Sequence, residues 1–172
     1  MIAAAAALLL LAAPAPPLEC PGGTTRRGAA PPEGFEEWCE GKDVAGRAVR
    51  EGPARTWYDD GRIWIEQRFR DGQRDGPFVE WHRNGVRARE GAFSLGARTG
   101  RWIVRGESGG VEEESEWRAG VPHGRYVSYW PRGARRAEGR HCGGAQCGTW
   151  RTYDEAGKEL GVVDYGEQRL SP

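Results

Sequence analysis

The sequence has no surplus of charge of either sign: 25 Lys and Arg residues balance 25 Asp and Glu, for a formal net charge of +0. That balance gives no electrostatic case for binding nucleic acid or an anionic membrane surface. A long hydrophobic run is lacking too. The longest, Ile2 to Ala13, has 12 residues, against the ~20 that a membrane-spanning helix needs. Histidine is scarce, and no acid or nucleophile shares a recognisable motif with His82 or His123. The sequence therefore argues against an enzyme and implies neither a cofactor nor a metal. A modest apolar fraction and balanced charge fit one soluble domain with little helix.

What is abundant is glycine, 27 residues in all, and it is periodic. Gly52, Gly76, Gly100, Gly124 and Gly148 recur every 24 residues, and Gly61, Gly85, Gly109, Gly133 and Gly157 keep the same step. A third series, Gly72, Gly96, Gly120 and Gly144, shows that no residue is gained or lost across the units. This is the signature of a repeat architecture. Numbering each unit from its first glycine, position 3 reads Ala54, Phe78, Trp102, Tyr126, Trp150. Position 6 reads Trp57, Trp81, Arg105, Tyr129, Tyr153, and position 18 reads Phe69, Phe93, Trp117, His141, Tyr165.

Asp60-Gly61 and Asn84-Gly85 at positions 9 and 10 are strong signals for a two-residue hairpin turn. Such a turn sets position 18 opposite position 1, and a four-residue connection at positions 20 to 23 sets position 18 opposite position 1 of the next unit. The two registers agree. The expected fold is all-β: an elongated single-layer antiparallel sheet of hairpins from five 24-residue units, about ten strands and ~45 to 50 Å across at the ~4.8 Å strand spacing. On this register an aromatic at position 18 covers the bare backbone at position 1. Position 6 has the opposite parity, so Trp57, Trp81, Tyr129 and Tyr153 form a second aromatic row on the other face.

The segments Gly76-Pro77-Phe78-Val79-Glu80-Trp81-His82-Arg83-Asn84-Gly85 and Gly148-Thr149-Trp150-Arg151-Thr152-Tyr153, with Asp71-Gly72 and Val121-Pro122-His123-Gly124 between strands, carry a family likeness. Over about two thirds of its length the chain resembles the MORN repeats, in the bacterial variant of the YwqK-type toxin–antitoxin antitoxin family. The resemblance implies an elongated sheet used for binding or scaffolding. Arg105-Gly106 in unit three departs from the pattern, which predicts the poorest hydrophobic contacts there.

The chain divides into residues 1–15, a signal peptide; 16–51, an N-terminal arm and degenerate capping repeat; 52–166, the repeat domain; and 167–172, a tail. The apolar run reads as the core of a secretory signal, although no basic residue precedes it and proline follows the small-residue sites. Glu19 and Pro17 stand where a lipid-attachment signal wants small and aliphatic residues, which argues against Cys20 as a lipid acceptor. Residues Cys20 to Pro32 read as a loop-rich arm rather than a repeat, and Trp38-Cys39 as positions 18 and 19 of the degenerate unit. Four cysteines in an exported chain predict two disulfides. The register sets Cys142 opposite Cys147, which leaves Cys20 for Cys39.

Two patterns invite a chemical reading. Gly106-Glu107-Ser108-Gly109-Gly110 matches the nucleophile pattern G-x-S-x-G, but that motif needs a strand, an elbow and a helix, whereas Ser108 falls at a hairpin tip. His141, Cys142 and Cys147 would make three metal ligands, but at the wrong spacing and without a fourth. Glu66, Glu90, Glu114 and Glu138 share position 15 and form an acidic row that nearby arginines, among them Arg68, Arg87, Arg89, Arg135 and Arg136, offset. The function these features predict is a non-catalytic extracytoplasmic binding or scaffold module. It would present one face to a protein or envelope partner, with Trp57, Trp81, Tyr129 and Tyr153 as the binding row. The alternative the resemblance implies is an antitoxin that neutralises a cognate toxin by direct binding.

Overall fold

The computed structural model describes residues 16–166. The expected signal peptide and tail lie outside the described residues. Strands β1 (Thr25–Ala29) and β2 (Glu36–Lys42) precede the repeats, which run as β3 (Ala48–Trp57), β4 (Ile63–Arg70), β5 (Gln73–Trp81), β6 (Arg87–Ser94), β7 (Ala97–Arg105) and β8 (Val111–Arg118). The last four are β9 (Val121–Tyr129), β10 (Arg135–Cys142), β11 (Ala145–Tyr153) and β12 (Glu159–Asp164). All 12 form one antiparallel sheet in strict chain order. Each strand pairs only with its sequence neighbours, so the zigzag inferred from the 24-residue step is the fold.

Both turns differ from expectation, and the differences cancel. Between β3 and β4 the loop has three residues, not two: the Tyr58 N–H donates to Arg62 O, and the Gly61 N–H donates to Tyr58 O. Gly61, at φ +83°, is the left-handed residue that closes a type I turn. Trp57 then faces Ile63 and Thr56 faces Ile65, so Trp64 is bulged out and Gly52 arrives opposite Phe69 as anticipated. The next connection is shorter than expected. Asp71 and Gly72, both at positive φ, form a two-residue type I′ turn. Phe69 accordingly faces Arg74 rather than Gly76, and Asp75, Gly76 and Pro77 bulge past Arg68 before Gln67 meets Phe78.

The glycines that aromatic rings cover also differ from the expected ones. The position-18 rings do not lie over position 1. A β-carbon at Gly100 or Gly148 would meet nothing within 4 Å, whereas one at Gly91 or Gly139, both at position 16, would collide with the indole of Trp102 or Trp150. Where position 16 is instead Gln67 or Ser115, the facing position-3 residue is the smaller Phe78 or Tyr126. Volume is thus matched in alternate units, as close packing requires.

On this face Phe78, Phe93 and Trp102 form the buried core, with Ile65 and Trp117 packed against it. Their ring centroids lie 5.1 to 5.5 Å apart, two of the three pairs edge to face, the arrangement the aromatic quadrupole favours. Each cluster carries an arginine from position 23. Arg50 lies over Trp38 and Phe69, Arg74 over Phe78 and Phe93, and Arg98 over Trp102 and Trp117, at 4.5 to 6.0 Å. Stacked this way, a guanidinium keeps water from the rings while remaining partly hydrated.

The N-terminal segment is more ordered than a loop-rich arm. Residues Thr25–Ala29 form an edge strand, and Trp38 stands opposite Ala54 rather than in a position-18 place. Disulfides Cys20–Cys39 and Cys142–Cys147 are both present. Cys39 is wholly buried, and Pro21 packs on Gly52, so the first bond fastens the arm over the start of the repeats. The second is diagonal: Cys142 faces Ala145 across the Gly143-Gly144 turn, and Cys147 faces Arg140.

Candidate functional site

The position-6 row lies on the face that carries the position-15 glutamates. The phenol of Tyr153 donates to Glu138 at 2.7 Å, and that of Tyr129 donates to Glu114 at 3.4 Å. In unit three the same place is taken by an ion pair, Arg105 to Glu90 at 2.7 Å. Trp57 is buried beneath the Arg55 guanidinium, while Trp81, Tyr129 and Tyr153 are half-buried. The structure therefore brings three of the four residues into one partly accessible row and buries the fourth.

The acidic row is neutralised locally. Arg55 bridges to Glu66, Arg87 to Glu90, Arg101 to Glu114 and Arg135 to Glu138, at 2.7 to 3.1 Å. Burial opposes ionisation of Glu90, but the Arg105 and Arg87 guanidinium groups outweigh it and hold that carboxyl below the usual range. Accepting the Tyr153 proton donor makes Glu138 the main reason that phenol is harder to ionise than usual. Arg89 serves the opposite face, bridging Glu80 at 2.7 Å.

The opposite, aromatic face opens into a cleft of about 410 Å³ towards its C-terminal end. Tyr126, His141 and Trp150 form its floor, with centroids 5.1 to 5.4 Å apart. Gln146, Val163 and Tyr165 complete one side. Burial disfavours the charged form of His141 and lowers its pKa, with Glu113 partly opposing. The three rings repeat the geometry of Phe78, Phe93 and Trp102, with one difference: position 23 is Pro122 and Gln146 here. Sequence reasoning singled out the rings but missed the cleft. The signal was the end of the Arg50, Arg74, Arg98 series.

A second feature missed from sequence lies at position 7. The Tyr58 hydroxyl donates to Trp81 O, the His82 Nε2 contacts Arg105 O, and the Trp130 indole N–H donates to Tyr153 O, at 2.7 to 3.0 Å. These bonds tie the hairpin tips of units one, two and four to the unit that follows. Gly106 occupies that position in unit three and has no side chain to make the bond.

The two tempting chemical patterns resolve structurally. Ser108 lies in the three-residue turn between β7 and β8, where the Gly109 N–H donates to Gly106 O. Cys142 and Cys147 are bonded to each other, so neither offers a thiolate to a metal, and His141 is packed edge-on against Tyr126 and Trp150.

Fold and surface together define a disulfide-fastened, single-sheet β-hairpin repeat protein with one carboxylate-lined and one aromatic face. No protein-family model matches the chain, and no curated protein matches it. Both disulfides fit an oxidising compartment, and among the described residues no helix is long and apolar enough to cross a membrane.

Proposed function

We propose that the protein is a non-catalytic, extracytoplasmic binding or scaffold module of the MORN-repeat type that docks a protein or envelope component on its sheet. The observation that carries this reading is the carboxylate-bearing face. There Trp81, Tyr129 and Tyr153 stand half-exposed among bridged Arg–Glu pairs, and Trp, Tyr and Arg are the residues that dominate interface hot spots. Phenols held by carboxylates lose little side-chain freedom on docking, which reduces the ordering cost of association. Trp57 anchors the start of the row and is a structural member of it.

Replacing Trp81 and Tyr129 together by Ser tests the assignment. A variant that stays folded but no longer captures the partner retained by the native exported protein supports it. Loss of more than ~3 kcal/mol of stability makes the row a structural half of a thin core instead. Capture of a cytosolic toxin as the specific partner favours the antitoxin reading.

A further inference from the structure

We propose that the cleft formed by Tyr126, His141, Trp150 and Tyr165 is a receptor for an arginine side chain supplied by the partner protein. The inference rests on the binding-module reading and names a second, distinct contact on the opposite face. Its basis is internal to the chain. In the three preceding places the position-23 residue is an arginine: Arg50, Arg74 and Arg98. Each guanidinium lies over a ring at position 18 and over a second aromatic, within 6.0 Å of both centroids. Units four and five retain both rings, Tyr126 with His141 and Trp150 with Tyr165, but position 23 is Pro122 and then Gln146. Among the described residues no arginine of the chain lies over these four rings.

The two uncapped places merge into the cleft, which is lined mainly by apolar surface. Its size suits a guanidinium entering with its methylene stem. Electron-rich faces attract a cation, and arginine stacks on them while keeping its hydrogen-bond donors free at the edge. Glu113 adds a negative charge beside the floor: its carboxylate accepts from Ser115 and Tyr126. Arg136 also borders the cleft, but its guanidinium lies over Trp130 at 5.8 Å and its Nε donates to Ser128 Oγ at 3.4 Å. It caps a different ring.

The test uses the disulfide-bonded protein and a short peptide with one central arginine, alongside the same peptide carrying neutral, nearly isosteric citrulline. Binding is read from the Trp150 indole N–H resonance. The expected result is saturable movement of that resonance with the arginine peptide and about tenfold weaker binding of the citrulline peptide. A Gln146→Arg variant should cap the cleft in cis, as Arg98 caps Trp102, and abolish the peptide response while remaining folded. Equal binding of the two peptides, absence of any response in the native protein, or an undiminished response in the variant overturns the proposal. If Gln146→Arg still captures the partner at full strength, the binding-module reading stands and the arginine receptor falls.

Discussion

The indole of Trp102 lies flat against Gly91, close enough that the glycine has no space for a β-carbon. Trp102 is 2% exposed and sits at the centre of the Phe78 and Phe93 cluster. Gly139 and Trp150 repeat the contact two units on. Glycine is normally a weak strand residue, so here its lack of a side chain is what lets the largest ring enter the thin core.

Gly91→Ala should therefore destabilise the protein by about 2 kcal/mol or more, in the range of overpacked cores. The double change with Trp102→Phe should recover much of the loss by making room for the methyl group. Urea denaturation of the four members of this cycle measures the coupling. Strictly additive losses would show that the contact is not what requires glycine at this site.

Leu95 is held at φ +47° in the type I′ turn with Gly96 and is 70% exposed. A branched apolar residue in the left-handed region is strained, and its side chain gains nothing from burial to offset this. Leu95→Asn supplies a residue that tolerates that conformation and should raise stability by about 0.5 to 1 kcal/mol. A variant with an unchanged or lower thermal midpoint would show that the leucine contributes contacts that outweigh the strain.

Within the repeats, strand existence, strand order and the pairing in mid-strand were legible in the sequence because the 24-residue step constrains every unit at once, whereas β1 lies outside that step and was not. The turns were not, because two opposite errors cancel in that step. Asp60-Gly61 is a strong two-residue signal, yet the chain adds a residue there and takes it back at Trp64. The pairing of Gln67 with Phe78 likewise comes from a tight Asp71-Gly72 turn, which sets Phe69 opposite Arg74, followed by a bulge at Gly76 that restores the register. A repeat length reports the sum of such shifts and not their places. The cysteine pairing was legible, since only one arrangement suited both loops. The cleft was harder to see, because its mark is a substitution of Pro122 and Gln146 for arginine and not a motif.

The disulfides should contribute unequally. Cys20 and Cys39 are 19 residues apart and fasten the arm, whereas Cys142 and Cys147 are 5 apart within one hairpin. Chain entropy assigns about 3 kcal/mol to the first loop and about 2 to the second. Single Cys→Ser pairs compared by denaturant midpoint should show the larger drop for the first. The reverse order would mean that the β10–β11 hairpin, not the arm, limits stability.

Stability should also depend on pH through His141. Burial against Tyr126 and Trp150 disfavours its charged form and holds its folded pKa below the usual imidazole value, with Glu113 partly opposing. Between these two values the unfolded chain binds more protons at this residue than the folded one, so stability rises with pH there. The contribution is complete above the unfolded value and is lost as the pH falls towards the folded one. His141→Phe, which restores the residue type found at Phe69 and Phe93, removes that component while leaving every carboxylate titration in place. The native protein should consequently lose stability more steeply than the variant as the pH falls through and below the usual imidazole range, with the two curves parallel above it. Curves parallel throughout would mean that His141 titrates alike in both states, and that its ring is hydrated within the cleft rather than sealed by its aromatic neighbours.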